Sequence, residues 1–243
     1  MILKKLIKNI RKKWHNDLHH EMNVRYHDLN EKLMFLINKC AFSKDENELS
    51  FLCDMYGSNK GSTYKKFAHS IESPVHTYTD TYLKIFSPIR DEVKAVFECG
   101  IYRGASLRVW RDYFKNAVII GGDINNHYLK NKNIYTAMLD QLDTKKIKTF
   151  FESLKSKYPN SFDIMIDDGC HTYEANTCLF ENSFHYLKQN GIYVIEDARE
   201  KDLSRYKDYF QRYASENKVK VEYKFLSTEN GITNDNLIII KKT

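Results

Sequence analysis

Two apolar runs in this chain each end in paired acids. Residues 164–171 read Ile-Met-Ile-Asp-Asp-Gly-Cys-His, and residues 191–197 read Gly-Ile-Tyr-Val-Ile-Glu-Asp. If the runs are neighbouring strands, about 4.8 Å apart, Asp168, Glu196 and Asp197 crowd one small volume beside Asp167. Carboxylates so placed repel one another unless a cation joins them. An all-oxygen set suits a hard divalent ion, Mg²⁺ or Mn²⁺ in its place. Cys170 is a soft donor nearby, and a small buried residue is the plainer reading of it. His171, three residues after Asp168, is a neutral base near neutral pH, suited to taking a proton from whatever the ion binds. The plainer alternative makes Asp167 and Asp168 caps of a following helix and Glu196-Asp197 the start of a loop. The convergence of all these groups on adjacent run ends favours a site.

A second set of residues describes a nucleoside pocket. Residues 97–106 read Phe-Glu-Cys-Gly-Ile-Tyr-Arg-Gly-Ala-Ser, entering a helix. Gly100 and Gly104 permit a tight turn and close backbone approach to a ligand, and the helix start offers N–H groups to a carboxylate. Tyr102 stands where a GxGxxG dinucleotide turn would need its middle glycine. Asp123, after Gly121 and Gly122, ends another apolar run, where an acid accepts hydrogen bonds from a ribose diol. Asp140 and Gln141 follow a third run and are placed to meet an adenine edge. NAD and S-adenosylmethionine both fit this description.

The elements that must position these groups follow from the pattern of apolar runs. Runs at 93–99, 117–123, 133–139, 162–167 and 191–196 alternate with amphipathic stretches, and runs at 219–226 and 236–241 close the chain without a helix between them. This predicts a Rossmann-like α/β fold, a doubly wound seven-stranded sheet with a terminal antiparallel hairpin. Ligands of such sheets sit at the carboxyl ends of the strands, which is where the candidate residues fall.

Upstream, Ile2, Leu3, Leu6, Ile7, Ile10, Trp14 and Leu18 recur at steps of three and four, predicting a basic amphipathic helix, and a second helical pattern spans 24–40. The division expected is a helical extension at 1–45 and the main domain at 46–243. Charge supports it. The chain of 243 residues carries a net +6, and the first twenty residues hold six basic groups against Asp17 alone, so the body is nearly neutral. A nucleic-acid partner is therefore not expected. Packing against the main domain or a second subunit explains the arm, with peripheral membrane contact the alternative. With 42% hydrophobic residues and no stretch of about 20 apolar ones, an integral membrane protein is excluded. Five scattered cysteines point to a reducing compartment, hence the cytoplasm.

The segments FECGIYRGASLRVW, GGDI, LDQLD, IDDGCHTY and GIYVIEDARE, with MYGSNKGS and HTYTDTY upstream, resemble the class I S-adenosylmethionine-dependent methyltransferases. Within them the resemblance is to the metal-dependent sugar O-methyltransferases, which include macrolide sugar methyltransferases, and to cephalosporin hydroxylase-like proteins. It implies that Glu98, Gly100 and Ser106 border the methionine end of S-adenosylmethionine, with Gly104 and Asp167 also facing the cofactor. It implies Asp123 on the ribose and Asp140 and Gln141 near the adenine. Asp168, Glu196 and Asp197 would hold Mg²⁺ (or Mn²⁺), with His171 and Asp168 as the catalytic pair and His171 the general base. Tyr102, Asn59 and Cys170 replace a small residue, Asp and Ser of the usual pattern, and none of these removes a metal ligand. The implied acceptor is a sugar or nucleotide sugar, expected in a bacterial surface polysaccharide. A homo-oligomer at the inner face of the membrane is expected. A catechol or other small natural product is the alternative acceptor. An NAD-dependent sugar oxidoreductase is disfavoured by the missing glycine and by the acid cluster.

Overall fold

Runs of isoleucine, valine and phenylalanine bury both faces of a strand, and such strands belong in a sheet covered on both sides. The computed structural model describes residues 47–61, 76–125, 129, 132–154, 161–226 and 234–243. The chain divides into Met1–Glu46 and Asn47–Thr243, so the expected arm helices lie outside the described residues. In the second unit, β1 (Ala95–Cys99), β2 (Val118–Asp123), β3 (Ile134–Met138), β4 (Phe162–Asp167), β5 (Leu187–Ile195), β6 (Val219–Phe225) and β7 (Asn236–Lys242) form one sheet. Its order is β3-β2-β1-β4-β5-β7-β6. The first five strands are parallel, and β7 runs antiparallel between β5 and β6, so the expected hairpin is present.

One strand differs from its expected span. β5 begins at Leu187, four residues before Gly191, because Leu187 pairs with Phe162 before the ladder shifts register to Ile164–Ile192. Lys188, Gln189 and Asn190 fill that irregularity, with Asn190 at φ 63°, and their polarity hid the strand from an apolar-run reading.

The helices divide between the faces. On one side α1 (Glu48–Tyr56), α2 (Tyr78–Phe86) and α3 (Ala105–Tyr113) pack over Val96, Ile119, Ile164, Val194 and Ile239. On the other, α4 (Thr144–Leu154), α5 (Tyr173–Ser183) and α6 (Leu203–Glu216) cover Phe97, Ile120, Met165, Tyr193 and Ile240. Each large side chain removed from water there contributes about 1.5–3 kcal/mol.

Two local features aim the upstream segment at the sheet edge. Asn47 caps α1 by accepting from the Leu49 and Ser50 N–H groups, and Gly57 ends it in the left-handed region at φ 73°. The chain then folds back, with Ser58 N–H on the Cys53 carbonyl, and delivers Lys60 to the strand ends. In α2, Tyr82 and Phe86 stack at 5.0 Å one turn apart, and both meet the Trp110 ring of α3 edge-on. That docking leaves the phenol ends of Tyr78 and Tyr82 pointing at the ends of β5.

Candidate active site

The turn after β1 is built for close approach. Gly100 sits at φ 84°, and a Cβ there would overlap the carbonyl oxygen of Asp168, so the turn and the end of β4 can touch only through glycine. Gly104 stands at the N-cap of α3 at φ 75°. Asp123 pins this turn, accepting from Ile101 N–H at 2.9 Å and Tyr102 N–H at 3.1 Å on one oxygen and Asn125 N–H at 2.8 Å on the other. Around it the strand ends leave an exposed apolar rim: Tyr102 (71% exposed), Ile124 (64%), Met138 (59%) and Leu142 (57%). A half-buried acid ringed by apolar groups at the ends of β1 to β3 matches the polar and apolar halves of a nucleoside. Asp140, at the same edge, accepts from Leu142 N–H and pairs with Lys146 at 3.1 Å.

Four of the residues expected at the cofactor bond to one another in pairs. Glu98 is fully buried and accepts from Ser106 Oγ at 2.7 Å on Oε2, while its Oε1 is buried without a hydrogen-bond partner. Asp167 is also fully buried, and Gln141 bridges it to the next turn. The carboxamide donates to Asp167 Oδ1 at 2.6 Å and accepts from Cys170 N–H at 2.8 Å. Gln141 thus braces the β4 turn, and its hydrogen-bonding groups are committed away from an adenine. The helix that follows is capped by Thr172, which accepts from Ala175 N–H, and not by Asp167 or Asp168.

Burial pushes the Asp167 carboxyl up to about 7, against the lowering effect of the Gly169 and Gln141 donors. The unfolded chain loses this proton near pH 4. The folded protein therefore binds the extra proton between about pH 4 and 7, and its stability falls as pH rises through that window. Asp167→Asn removes the titration. Its urea midpoint relative to the parent is expected to improve steadily from about pH 4.5 to 7.5, whereas a constant difference would show the carboxyl ionised throughout.

The carboxylates at the ends of β4 and β5 form two groups that share Asp168. The inner group is Glu98, Asp168 and Glu196; the outer is Asp168, His171 and Asp197. In each, one ligand atom per residue lies within 4.8 Å of the others. Glu196 and Asp197, adjacent in sequence, point to the two sides of Asp168, with Asp197 held in the left-handed region at φ 51°. The outer group reaches solvent: the Asp168, His171 and Asp197 side chains are 22%, 32% and 21% exposed. His171 Nε2 lies 3.8 Å from Asp197 Oδ2, and its Nδ1 is buried without a hydrogen-bond partner.

The inner group holds a cation of the protein's own. Lys60 Nζ donates to Asp168 Oδ2 at 2.5 Å and to Glu196 Oε2, and lies 3.4 Å from Glu98 Oε1. Burial alone would lower the Lys60 pKa, but the charges of Asp168, Glu196 and Glu98 outweigh it and hold the ammonium well above the usual lysine range. Tyr82 donates to the other oxygen of Glu196, and Tyr78 donates to Asp197. Burial and then these acids push both phenols well up, so each keeps its proton. His76 stacks on Tyr78 at 4.8 Å and donates from Nδ1 to the buried Asp235 at 3.1 Å. Lys60, His76, Tyr78, Tyr82 and Asp235 were not among the expected site residues. The sequence signal for two of them was the spacing in HTYTDTY, which puts Tyr78 and Tyr82 on one helix face.

Comparison with known proteins places this geometry. A family model described as a methyltransferase domain matches residues 97–198, which contain every residue of both groups, though not Lys60. The 8-demethyl-8-alpha-L-rhamnosyl tetracenomycin-C 2'-O-methyltransferase of Streptomyces olivaceus is 31% identical over 133 residues, 51% of this chain and 34% of that protein. The demethylmacrocin O-methyltransferase of Streptomyces fradiae is 34% identical over 131 residues, 51% of this chain and 32% of that protein. The chain thus spans about a third of the length of these curated relatives. Among solved structures, the MycE methyltransferase of the mycinamycin biosynthetic pathway, in complex with Mg and SAH, superposes with a TM-score of 0.59. Its sequence identity is 24%, and the match covers 82% of this chain and 56% of that one. Residues 97–198 are thus similar to a methyltransferase domain, and the seven-stranded sheet with its terminal antiparallel pair has the class I methyltransferase fold.

Proposed function

We propose that the protein transfers a methyl group from S-adenosylmethionine to a sugar hydroxyl, assisted by Mg²⁺. The observation that carries this is the outer group of Asp168, His171 and Asp197, open to solvent beside the glycine turn and the Asp123 rim. The oxygen donors suit Mg²⁺ or Mn²⁺, and Asp123 with its apolar surround suits an adenosine, so the residues present fit both groups. When bound, S-adenosylmethionine supplies an electrophilic methyl and Mg²⁺ a charge that favours the alkoxide of the acceptor. Asp168 and Asp197 would hold the ion, with Glu196 reaching it from the inner side. The turn at Gly100 and Gly104 brings backbone close to the cofactor without side-chain bulk. His171 Nε2 accepts the hydroxyl proton, since Nδ1 is buried and Nε2 is the nitrogen on the Asp197 side. Holding the acceptor oxygen near 3 Å from the methyl removes orientational entropy from a two-molecule step.

The Streptomyces olivaceus relative is named for methylating a rhamnosyl tetracenomycin, and the Streptomyces fradiae relative for methylating demethylmacrocin. We therefore propose the wider class of glycosidic or nucleotide-linked sugars, of which the expected surface-polysaccharide sugar is one case. Assaying nucleotide sugars, surface glycans and glycosylated natural products with purified protein and Mg²⁺ separates these acceptors. An oligomer or membrane contact through residues 1–45, in the cytoplasm, remains part of the proposal; deleting the arm and following mass and vesicle binding tests it.

Cofactor binding is tested at Asp123. Removing its charged acceptor costs about 1.5–3 kcal/mol per hydrogen bond, so Asp123→Ala is expected to weaken S-adenosylmethionine at least about tenfold by calorimetry. Because this acid also pins the turn, Asp123→Asn is the companion variant: it keeps one acceptor and is expected to fall between the two. Unchanged affinity in both would place the ribose elsewhere.

A further inference from the structure

We infer that the Lys60 ammonium and the divalent cation are alternative occupants of one carboxylate cage, so that metal loading exchanges Lys60 away from Asp168 and Glu196. The inference rests on the metal-dependent reading above. An ion bound to Asp168 Oδ2 and Glu196 Oε2 would lie about 2.0–2.1 Å from each oxygen, in the space where Lys60 Nζ now bonds both. Glu196 is 1% exposed, and its two oxygens are committed to Lys60 and Tyr82. An ion on Oε2 in the position that Lys60 Nζ now holds therefore requires Lys60 to withdraw. Asp168 belongs to both groups, so an ion arriving from solvent meets the open Asp168, His171 and Asp197 side before it reaches the inner acids.

Lysine is the residue for such an exchange. Its charge sits on a flexible four-carbon stem with rotatable donors, without the fixed two-pronged grip by which arginine locks a carboxylate. In its cage position it keeps three buried or half-buried acids from repelling one another and holds Glu196 where the ion will need it. It also opposes weak or singly charged competitors, since only a doubly charged ion offers the acids more than the ammonium does. Lys60 is thus a positioning residue that sets the affinity threshold for the metal.

The test compares the full chain with Lys60→Met and with Lys60→Gln, which keeps a donor without the charge. Mn²⁺ affinity is measured by the electron paramagnetic resonance of the free ion, and melting temperature in excess chelator and in saturating Mg²⁺. Both variants are expected to bind Mn²⁺ at least about tenfold more tightly, to melt lower in chelator, and to match the parent once Mg²⁺ saturates. Variants that fold only with Mg²⁺ present support the exchange equally. Folded variants with unchanged or weaker Mn²⁺ affinity overturn it, as does the same melting deficit with and without metal, which marks a merely structural lysine. So does a crystal structure with Mn²⁺ on Asp168 in which Lys60 still contacts Asp168 and Glu196. If the parent binds no Mn²⁺ but the variants do, the inference stands and the metal-dependent activity falls; if none binds, both fall.

Discussion

Asp168→Ala is expected to abolish turnover while leaving S-adenosylmethionine binding intact. Asp168 is the single acid shared by the inner and outer groups, so its loss removes a ligand from both at once. Loss of a residue that merely supports a ligand costs about 10–100-fold in metal affinity, and loss of the ligand itself is expected to exceed about 100-fold. The cofactor contacts are spared because the glycine turn approaches Asp168 at its backbone, whose N–H binds the Cys99 carbonyl at 2.9 Å, and Asp123 bonds to Ile101, Tyr102 and Asn125 instead. Lys60 keeps Glu196 and Glu98 as partners, so the variant should fold. Added Mg²⁺ should restore chelator-treated parent protein and not the variant. Full activity of metal-stripped protein in excess chelator would end the metal-assisted mechanism.

The second large effect is expected at His171. Removing a general base costs about 10²–10⁴-fold, and the loss should fall on kcat, with partial recovery at high pH where solvent takes the proton. The backbone dictates the variant. His171 sits in the left-handed region at φ 54°, which Asn tolerates better than Ala, so His171→Asn separates the lost base from a strained turn. Its melting temperature should stay near that of the parent. A folded His171→Asn with unaltered kcat would move the proton to another acceptor, with Asp197, 3.8 Å from the ring, the next to examine.

Most strands were legible as short apolar runs, β6 as an alternation of apolar and charged residues, and the β4 and β5 acids because they end such runs at the edge where ligands sit. The side-chain assignments were less legible for a physical reason. Gln141 has the right type and place for an adenine contact, yet the buried Asp167 needs a donor and the β4 turn an acceptor, and one carboxamide meets both needs. Ser106 likewise donates to Glu98 Oε2, eight residues away. Lys60 was visible only as a letter in MYGSNKGS. A lysine outside any periodic run reads as a solvated surface charge, and nothing local discloses three acids 38 to 136 residues away. Those distances are set by sheet order, which brings β1, β4 and β5 together.

The placement of β7 bears on when the active cluster can come into being. The last strand of the chain lies inside the sheet, pairing with β5 through Ile238–Ile195 and its neighbours, and Asp235 at its threshold carries His76. During synthesis, a nascent chain can assemble β1 to β5 early, but the fifth strand then waits with an open edge until Asn236–Lys242 emerges. Ordering of His76 waits with it. Completion is thus a late, long-range event, the kind that slows folding and leaves an intermediate prone to pairing with its neighbours. Chains stalled before residue 236 should collect in the chaperone-bound pool.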